Sequence, residues 1–217
     1  MKYQLIIFDL DGTILNTLDD LADSCNAVLV KNNMPVHTKD QIRMFVGNGI
    51  RKLIERAVPE ESDEETKNKV LSDFTAYYKE HSLDKTKPYD GITELFYELK
   101  TRGIKIAVNT NKNEDVSKEI CEKFFPGFVD IVAGGNAGRP VKPDPSGVEM
   151  ILQTLNIKPE NTLYVGDSDV DYQTGINAGI DVVNVSWGFR DESFLREHGA
   201  EKIVHFPQEL LKIIFNS

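Results

Sequence analysis

The regular alternation of short apolar segments with amphipathic helical segments constrains the fold of this chain more than any other feature. Residues 2–8 (KYQLIIF) form an apolar, β-rich run that predicts a buried strand ending at Asp9. Five further segments have the same character: 104–109, 128–132, 163–165, 182–185 and 202–204. Helical patterns lie between them, and strands that alternate with helices indicate βαβ crossovers. The chain is therefore predicted to be an α/β protein with a parallel sheet covered on both faces, where ligands bind beyond the carboxyl ends of the strands.

Residues 16–85 interrupt this alternation. They contain several helix patterns and almost no β signal, and two segments, Thr38–Gln41 and Ser62–Glu65, have the form of a helix-capping box. A helical stretch of this length within an α/β chain indicates an inserted second domain. The predicted domains are an α/β core formed by residues 1–15 and 86–217, and a helical domain formed by residues 16–85.

Composition excludes several classes of partner. The 217 residues carry a net charge of −10, which argues against a nucleic-acid partner because such binding depends on a basic surface. No apolar run approaches the roughly 20 residues of a membrane helix, so no membrane partner is expected. Two cysteines, Cys25 and Cys121, are too few to suggest a disulfide framework. We therefore expect a cytoplasmic protein.

Two carboxylates follow the first predicted strand, in the segment Asp9-Leu10-Asp11-Gly12-Thr13. A strand that ends at Asp9 and a turn at Gly12 would place both acids at the carboxyl edge of the sheet. One carboxylate could then attack phosphorus while the other exchanges a proton with the leaving or attacking oxygen. An acidic turn without chemistry is the alternative, since Asp and Gly are common in turns.

A second acidic segment, Gly166-Asp167-Ser168-Asp169-Val170-Asp171, follows the predicted strand 163–165. Asp167 and Asp171 are four residues apart, so a helix that begins here would present both from one face. Together with the carboxylates after the first strand they could hold a hard cation, for which Mg²⁺ is the natural candidate. The alternative is that these acids only complement the helix dipole.

Two further segments could bind phosphate. Thr110, with Asn111 and Lys112, follows the predicted strand 104–109, and a hydroxyl with backbone N–H groups at such a turn can bind phosphate oxygens or cap the next helix. Lys142 lies in Val141-Lys142-Pro143-Asp144-Pro145, where prolines favour an extended and rigid backbone. A single lysine is otherwise a surface charge.

In this order, each at the end of a predicted strand, the four segments resemble the motifs of the haloacid dehalogenase superfamily of aspartate-nucleophile phosphohydrolases. The matching segments are Asp9–Thr13, Asn109–Asn111, Lys142-Pro143 and Gly166–Asp171. The resemblance covers nearly the whole chain, because the helical insert matches the cap domain of that superfamily. It implies a Rossmann-like parallel-sheet core with an inserted all-helical cap.

The resemblance also implies a role for each residue. Asp9 would be the nucleophile and Asp11 the general acid and base of a two-step hydrolysis through an aspartyl-phosphate. The implied phosphate-binding residues are Thr110, Asn111, Lys142, Gly12 and Thr13. The implied Mg²⁺ ligands are Asp9, the backbone carbonyl of Asp11, Asp167 and Asp171, the last directly or through water. The expected partner is a small phosphorylated metabolite, and the protein would be a monomer or a homodimer.

Substrate choice is expected to depend on the cap. The turn Gly47-Asn48-Gly49, followed by Arg51 in the next helix, resembles the cap of phosphoglycolate phosphatases, and so does the segment 186–189. A helix N-terminus suits a small carboxylate, so 2-phosphoglycolate is the predicted substrate. The alternative is a plain helix–helix turn with Arg51 as a surface charge.

Other activities remain open at this point. Within the superfamily the alternatives are a sugar phosphomutase, a pyrophosphatase and a nucleotide phosphatase. A signalling receiver domain, which accepts phosphate on an aspartate, is an alternative of another class. Asn16 and Asn136 stand where the superfamily usually has Asp, which leaves hinge behaviour and fine specificity open.

Overall fold

The structure, a computed structural model, describes residues 2–136 and 138–216. Its strands are β1 (Leu5–Phe8), β2 (Leu15–Asn16), β3 (Lys87–Pro88), β4 (Lys105–Asn113), β5 (Ile131–Gly135), β6 (Thr162–Gly166), β7 (Asp181–Val185) and β8 (Ile203–Val204). Its α-helices are α1 (Leu18–Lys31), α2 (Lys39–Phe45), α3 (Gly49–Ala57), α4 (Glu64–His81), α5 (Ile92–Thr101), α6 (Glu114–Phe124), α7 (Ser146–Leu155), α8 (Asp169–Asn177), α9 (Glu192–Glu197) and α10 (Pro207–Phe215). The chain divides into two units, residues 1–15 with 88–217 and residues 16–87.

The larger unit is built on a six-stranded sheet in the order β5-β4-β1-β6-β7-β8. Every neighbouring pair in this sheet is parallel. Strand β1 lies between β4 and β6, with Phe8 opposite Val108 on one side and Val165 on the other. The predicted α/β class with a parallel sheet is confirmed. Because β1 is paired on both edges and covered on both faces, its sequence is a continuous apolar run.

Alternate side chains of β1 pack against helices on opposite faces of the sheet. Leu5 and Ile7 belong to a buried cluster with Val148 of α7. Phe8 points to the other face, where its ring centroid lies 5.1 Å from that of Phe96 in α5. This two-sided covering leaves the carboxyl ends of the strands as the edge where polar side chains gather.

The predicted helical region, residues 16–87 in the structure, has its own apolar core formed by helices α1 to α4. The buried members include Leu21, Cys25, Val28, Leu29, Ile42, Leu53, Ile54, Val70 and Phe74. The predicted capping box at Thr38 and Gln41 is confirmed. The predicted box at Ser62 is wrong, because Asp63 is the N-cap of α4 and its carboxylate accepts from the Thr66 N–H at 2.8 Å.

The second end of this unit is tied to its first helix by Asp20. The buried Asp20 carboxylate accepts hydrogen bonds from the Lys85 N–H at 2.9 Å and from the N–H and hydroxyl of Thr86 at 2.8 and 2.7 Å. These bonds keep Lys85 and Thr86 with the helical unit, whose last residue is Lys87. The predicted boundary at residue 85 lies two residues earlier. The assignment of this unit as a cap stays a prediction.

No helix among the described residues is long and apolar enough to cross a membrane.

Candidate active site

Asp9 lies at the carboxyl end of β1, inside the parallel sheet. Its N–H donates to the Val165 carbonyl at 2.9 Å, so the strand pairing holds the residue at the point where the chain leaves the sheet. Asp9 is only 7% exposed. Lys142 Nζ lies 2.6 Å from Asp9 Oδ1 and 2.7 Å from Asp171 Oδ1. A buried lysine therefore bridges two carboxylates that the sequence predicted at this edge.

Asn111, near the end of β4, holds the backbone of Lys142. Asn111 Oδ1 accepts from the Lys142 N–H at 2.7 Å, and Asn111 Nδ2 donates to the Lys142 carbonyl at 3.3 Å. The two residues are 31 positions apart in the chain. Asn111, a predicted phosphate-binding residue, thus fixes the position of Lys142 through two hydrogen bonds to its backbone.

Asp167 and Asp171 lie on either side of the start of α8. Ser168 is the N-cap, and its hydroxyl donates to Asp171 Oδ2 at 2.6 Å while accepting from the Asp171 N–H at 3.2 Å. The helix begins at Asp169, so the prediction that Asp167 and Asp171 share one helix face is wrong. Asp167 instead lies in the loop before the N-cap, because the reciprocal bonds of Ser168 start the helix after it.

The carboxylate of Asp167 is enclosed by two separate segments of the chain. Asp167 Oδ1 accepts from the Thr13 hydroxyl at 3.1 Å, and Oδ2 accepts from the Phe189 N–H at 2.6 Å. A Cβ atom at Gly12 would lie 2.8 Å from Asp167 Cγ, and one at Gly188 would also clash with the Asp167 side chain. The backbone therefore approaches the Asp167 carboxylate closely at Gly12 and Gly188, where a larger residue would not fit.

Asp9, Asp167 and Asp171 form a buried acidic cluster, with one ligand atom from each within 4.8 Å of the others. Burial raises the pKa of Asp9 well above its usual range, and the charges of Asp171 and Asp167 add to this, while Lys142 opposes it. Burial and the Asp171 charge raise the pKa of Asp167 to about 7. For Lys142, burial acts to lower the pKa, but the two carboxylates it bridges raise it well above its ordinary value.

This electrostatic balance fits a divalent cation. If all four groups are ionised, three carboxylates face one ammonium, so negative charge is in excess in a buried space. Carboxylate oxygens are the ligands that hard cations prefer, and a bound cation would reverse the unfavourable shifts at Asp9 and Asp167. The residues present are therefore suited to hold a metal ion.

Asp11 has a partner that the sequence argument did not identify. Lys112 Nζ lies 2.9 Å from Asp11 Oδ1 and 3.2 Å from Oδ2, and the Lys112 side chain is 8% exposed. The two residues are 101 positions apart. They meet because β4 continues to Asn113, beyond its predicted end, and its register with β5 shifts between Asn109 and Asn113. Irregular pairing of this kind redirects side chains near functional sites.

The other predicted phosphate-binding residues lie in the same unit. Thr110 is buried, and its hydroxyl oxygen accepts from the Lys112 N–H at 3.2 Å. Gly12 adopts a φ of +93°, which favours glycine, and its N–H donates to the Leu15 carbonyl at 2.9 Å. Thr13 is fully buried with its hydroxyl on Asp167. In this arrangement Gly12 and Thr13 shape the loop and orient Asp167.

The residues predicted to set specificity lie in the helical unit. Asn48 is the N-cap of α3, between Gly47 and Gly49, but its side-chain oxygen accepts from Arg56 at 2.9 Å and does not cap the helix. Arg51 donates to the side chain of Asn68 in α4 at 2.8 Å. These contacts support the turn, and Arg56 is a participant that the sequence argument missed.

The two departures from the superfamily pattern have local partners. The Asn16 side-chain oxygen accepts from the Leu18 N–H at 3.3 Å, at the start of α1. Asn136 donates to Glu114 at 3.0 Å and accepts from the Gly138 N–H at 2.9 Å. Both asparagines therefore stabilise turns next to secondary-structure ends.

Three further side chains lie behind the site: Tyr164 and Asn184 are buried and were not found from the sequence, whereas Trp187 belongs to the segment 186–189 singled out above. The Tyr164 hydroxyl lies 3.4 Å from Asp171 Oδ1, and the Trp187 indole N–H donates to the Thr13 carbonyl at 2.9 Å. Asn184 donates to two carbonyls in the loop that carries Asp167. For Asn184, the available signal was a polar residue among the valines of β7.

The fold and the site define an α/β protein with a lysine-bridged acidic cluster at the carboxyl edge of its sheet. A family model described as haloacid dehalogenase-like hydrolase matches residues 6–185. The chain belongs to this family, which confirms the resemblance and excludes the receiver-domain alternative.

Several similar proteins are described as phosphoglycolate phosphatases. The chain is 31% identical over 214 residues to a phosphoglycolate phosphatase of Aquifex aeolicus, covering 98% of this chain and 97% of that protein. It is 34% identical to a phosphoglycolate phosphatase of Psychrobacter arcticus, covering 91% of this chain and 89% of that protein. A crystal structure of a candidate phosphoglycolate phosphatase from Lactobacillus delbrueckii subsp. bulgaricus superposes with a TM-score of 0.95 at 33% identity, covering 99% of both chains.

Proposed function

We propose that this protein is a Mg²⁺-dependent phosphatase that hydrolyses a small phosphate monoester, most specifically 2-phosphoglycolate. The observation that carries the proposal is the buried Asp9 carboxylate, bridged through Lys142 to Asp171 beside a further acid, Asp167. A nucleophilic carboxylate needs positive charge around it both to stay ionised and to receive an anionic phosphoryl group. Lys142 and a divalent cation would supply that charge.

Asp9 and Asp167, with the backbone carbonyl of Asp11, are the proposed metal ligands. When bound, Mg²⁺ would supply charge neutralisation at the phosphoryl oxygens. Asp171 is more heavily hydrogen-bonded than either Asp9 or Asp167, since Oδ1 accepts from Lys142 and the Tyr164 hydroxyl, and Oδ2 accepts from both the hydroxyl and the N–H of Ser168. We therefore assign Asp171 to the orientation of Lys142, with any contact to the metal through water.

The proposed reaction has two steps. An oxygen of Asp9 attacks phosphorus and the bond from phosphorus to the leaving oxygen breaks, while Asp11 donates its proton to that oxygen. Asp11 then takes a proton from water, which attacks the phosphorus of the aspartyl-phosphate and releases phosphate with regeneration of Asp9. Lys142 and Thr110 bind the phosphoryl oxygens in both steps. Lys112 keeps the carboxyl group of Asp11 in place from the first step to the second.

The assignment of 2-phosphoglycolate rests on the names of the relatives and on the Gly47–Arg51 segment. Two curated relatives that match over at least 91% of this chain are phosphoglycolate phosphatases. A glycine-bracketed helix N-terminus suits a carboxylate, which 2-phosphoglycolate carries opposite its phosphate. A sugar phosphomutase, a pyrophosphatase and a nucleotide phosphatase remain the alternatives within the family. The cytoplasmic location and the monomeric or dimeric state stay predictions.

The test is phosphate release with Mg²⁺ across 2-phosphoglycolate, pyrophosphate, sugar phosphates and nucleotides. We expect 2-phosphoglycolate to give the highest kcat/KM. A higher value for another substrate would overturn the substrate assignment and leave the chemistry standing.

The proposed chemistry is tested separately with Asp9→Asn, a nearly isosteric substitution. This variant should fold, as judged by circular dichroism, and should release no phosphate from any substrate. Asp19→Asn is a matched control, because Asp19 is a partly exposed acid of the helical unit paired with Lys39. Turnover by Asp9→Asn, or activity of the unaltered protein in excess chelator, would refute the proposed mechanism.

A further inference from the structure

A buried amide on β7 contacts the loop that carries Asp167. Asn184 is 1% exposed, and its Nδ2 donates to the carbonyl of Gly166 and to that of Ser168, each at 3.1 Å. These two carbonyls belong to the residues immediately before and after Asp167. One side chain therefore holds the backbone on both sides of a proposed metal ligand.

The environment of Asn184 indicates that this contact is the reason for an amide here. Its neighbours in β7, Val183 and Val185, are apolar and fully buried, and they point to the opposite face of the sheet. The backbone N–H of Asn184 already donates to Lys202, so the side chain is not needed to complete the sheet. Its Oδ1 is buried without a hydrogen-bond partner among the described residues. A buried polar atom without a partner is unfavourable, so the two donated bonds must outweigh that cost.

The helix-capping bonds hold one end of this loop, where the Ser168 N–H donates to Asp171 Oδ2 at 3.1 Å. The chain leaves β6 at Gly166 and enters α8 at Asp169, so Asp167 must turn inward within a very short connection. The Asp167 side chain is oriented by Thr13 and Phe189, but those bonds act on the carboxylate and not on the backbone. Asn184 adds a restraint on the backbone that spans both sides of Asp167. Partners of this kind, one step removed from a metal, typically affect its affinity.

We propose that Asn184 is a positioning residue that raises the affinity of the acidic cluster for its divalent cation by fixing the backbone around Asp167. This inference rests on the proposed metal-dependent function. It acts through Asp167, since Asn184 is assigned no contact with substrate or metal. Loss of the two donated bonds should let the loop relax and misplace the Asp167 oxygens, which weakens metal binding more than it affects chemistry once metal is saturating.

The test measures binding of Mg²⁺ alone to chelator-treated protein by isothermal titration calorimetry. Asn184→Ala removes both donated bonds. Asn184→Thr introduces a β-branched side chain of similar volume that suits a strand, but its single hydroxyl can donate to at most one carbonyl. We expect the Kd for Mg²⁺ to rise by about 10- to 100-fold in Asn184→Ala, by analogy with other residues behind metal ligands. Asn184→Thr should fall between that variant and the unaltered protein.

Thr162→Val is the matched control. Thr162 is fully buried at the opposite end of β6, and its hydroxyl donates to the Lys158 carbonyl at 3.0 Å, so the variant also removes a buried bond from a side chain to a backbone carbonyl. Its Kd for Mg²⁺ should be unchanged. The unfolding midpoint of each metal-free variant, measured in urea, identifies any variant that is not folded at the assay temperature. If Asn184→Ala is not folded, the Kd of Asn184→Thr tests the role of Asn184.

The outcomes separate this inference from the proposed function. An unchanged Kd in a folded Asn184 variant, or an equal rise in Thr162→Val, overturns the role of Asn184. Recovery of kcat at high Mg²⁺ in Asn184→Ala supports it, whereas a kcat that stays low with an unaltered Kd contradicts it. If the unaltered protein neither binds Mg²⁺ nor releases phosphate, the proposed function itself fails.

Discussion

Replacement of Asp167 by Asn should stabilise the metal-free protein at neutral pH, although it removes a proposed metal ligand. Burial and the Asp171 charge raise the pKa of Asp167 from its ordinary value of 3.8 to about 7. The folded protein therefore holds this proton more tightly than the unfolded chain. Stability falls as the pH rises from 3.8 towards 7 and levels off above that. Since a change of one in pKa corresponds to about 1.4 kcal/mol, the protein has lost about 2 kcal/mol of its low-pH stability at pH 5.5 and about 4 kcal/mol at pH 8.

The structure explains why Asn fits at this position. The Phe189 N–H requires an acceptor on one side of the group, and an Asn side-chain oxygen provides it. The other partner is the Thr13 hydroxyl, which can rotate to accept from the Asn amide. The variant thus removes the charge and leaves neither neighbour without a hydrogen bond. The electrostatic gain should therefore not be cancelled by unpaired polar groups.

Urea unfolding followed by circular dichroism, in excess chelator at pH 5.5 and pH 8, measures this gain. Asp169→Asn, at the first residue of α8, is the control and should show no comparable gain. Added Mg²⁺ should close the gap, because a ligand at 1,000 times its Kd stabilises the folded state by about 4 kcal/mol. A metal-free Asp167→Asn protein that is less stable than the unaltered one at pH 8, or a gain equal at both pH values, would refute the reasoning.

Two further predictions concern the loops around the acids. Lys112→Met should lower kcat/KM for 2-phosphoglycolate by up to about 10²-fold, because Asp11 loses its partner, and should have less effect on p-nitrophenyl phosphate, whose leaving group needs no proton. Equal losses in a kinetic comparison of the two substrates would contradict this role. Gly188→Ala should destabilise the protein by about 1–3 kcal/mol in urea unfolding, since its Cβ would clash with the Asp167 side chain and the Gly12 carbonyl. Undiminished stability and metal affinity would show that the loop can move aside.

Local patterns were sufficient to predict the sheet and the edge on which the site lies. The apolar run before Asp9 became β1 because a strand buried on both faces contains few polar residues. The acids after it and after β6 were predicted to meet, and Asp9 and Asp167 do so. Carboxyl ends of parallel strands share one edge of the sheet, so motifs that directly follow different strands come close together in the fold. That argument needs no knowledge of side-chain packing.

Competition between neighbouring residues decided the details that were missed. Ser62 and Asp63 are both good N-caps, and the structure uses Asp63. Asp167 falls outside α8 because Ser168 is the N-cap and the helix begins at Asp169, two residues later than a shared helix face would require. Single-residue choices of this kind depend on the path of the preceding strand, which local sequence does not specify.

Long-range pairs were beyond the reach of pattern analysis. Lys112 reaches Asp11 only because β4 extends further than its apolar residues indicate and then shifts register. The bonds from Asn184 and Phe189 likewise depend on how β7 and the following segment lie against β6. Such contacts follow from tertiary packing, since a polar residue's partner is not encoded near it in the chain.

The bridge from Asp9 through Lys142 to Asp171 is best understood as a feature kept for chemistry. Burying an ammonium between two carboxylates is costly, and well-packed apolar side chains often stabilise a protein as well or better. Yet Lys142 lies 2.6 and 2.7 Å from these acids, just beyond strands whose side chains are apolar and fully buried. Burial alone would hold Asp9 protonated and therefore weakly nucleophilic, and Lys142 opposes this. The same positive charge that restores the carboxylate also attracts a phosphoryl group, so activation of the nucleophile and binding of its target depend on one lysine.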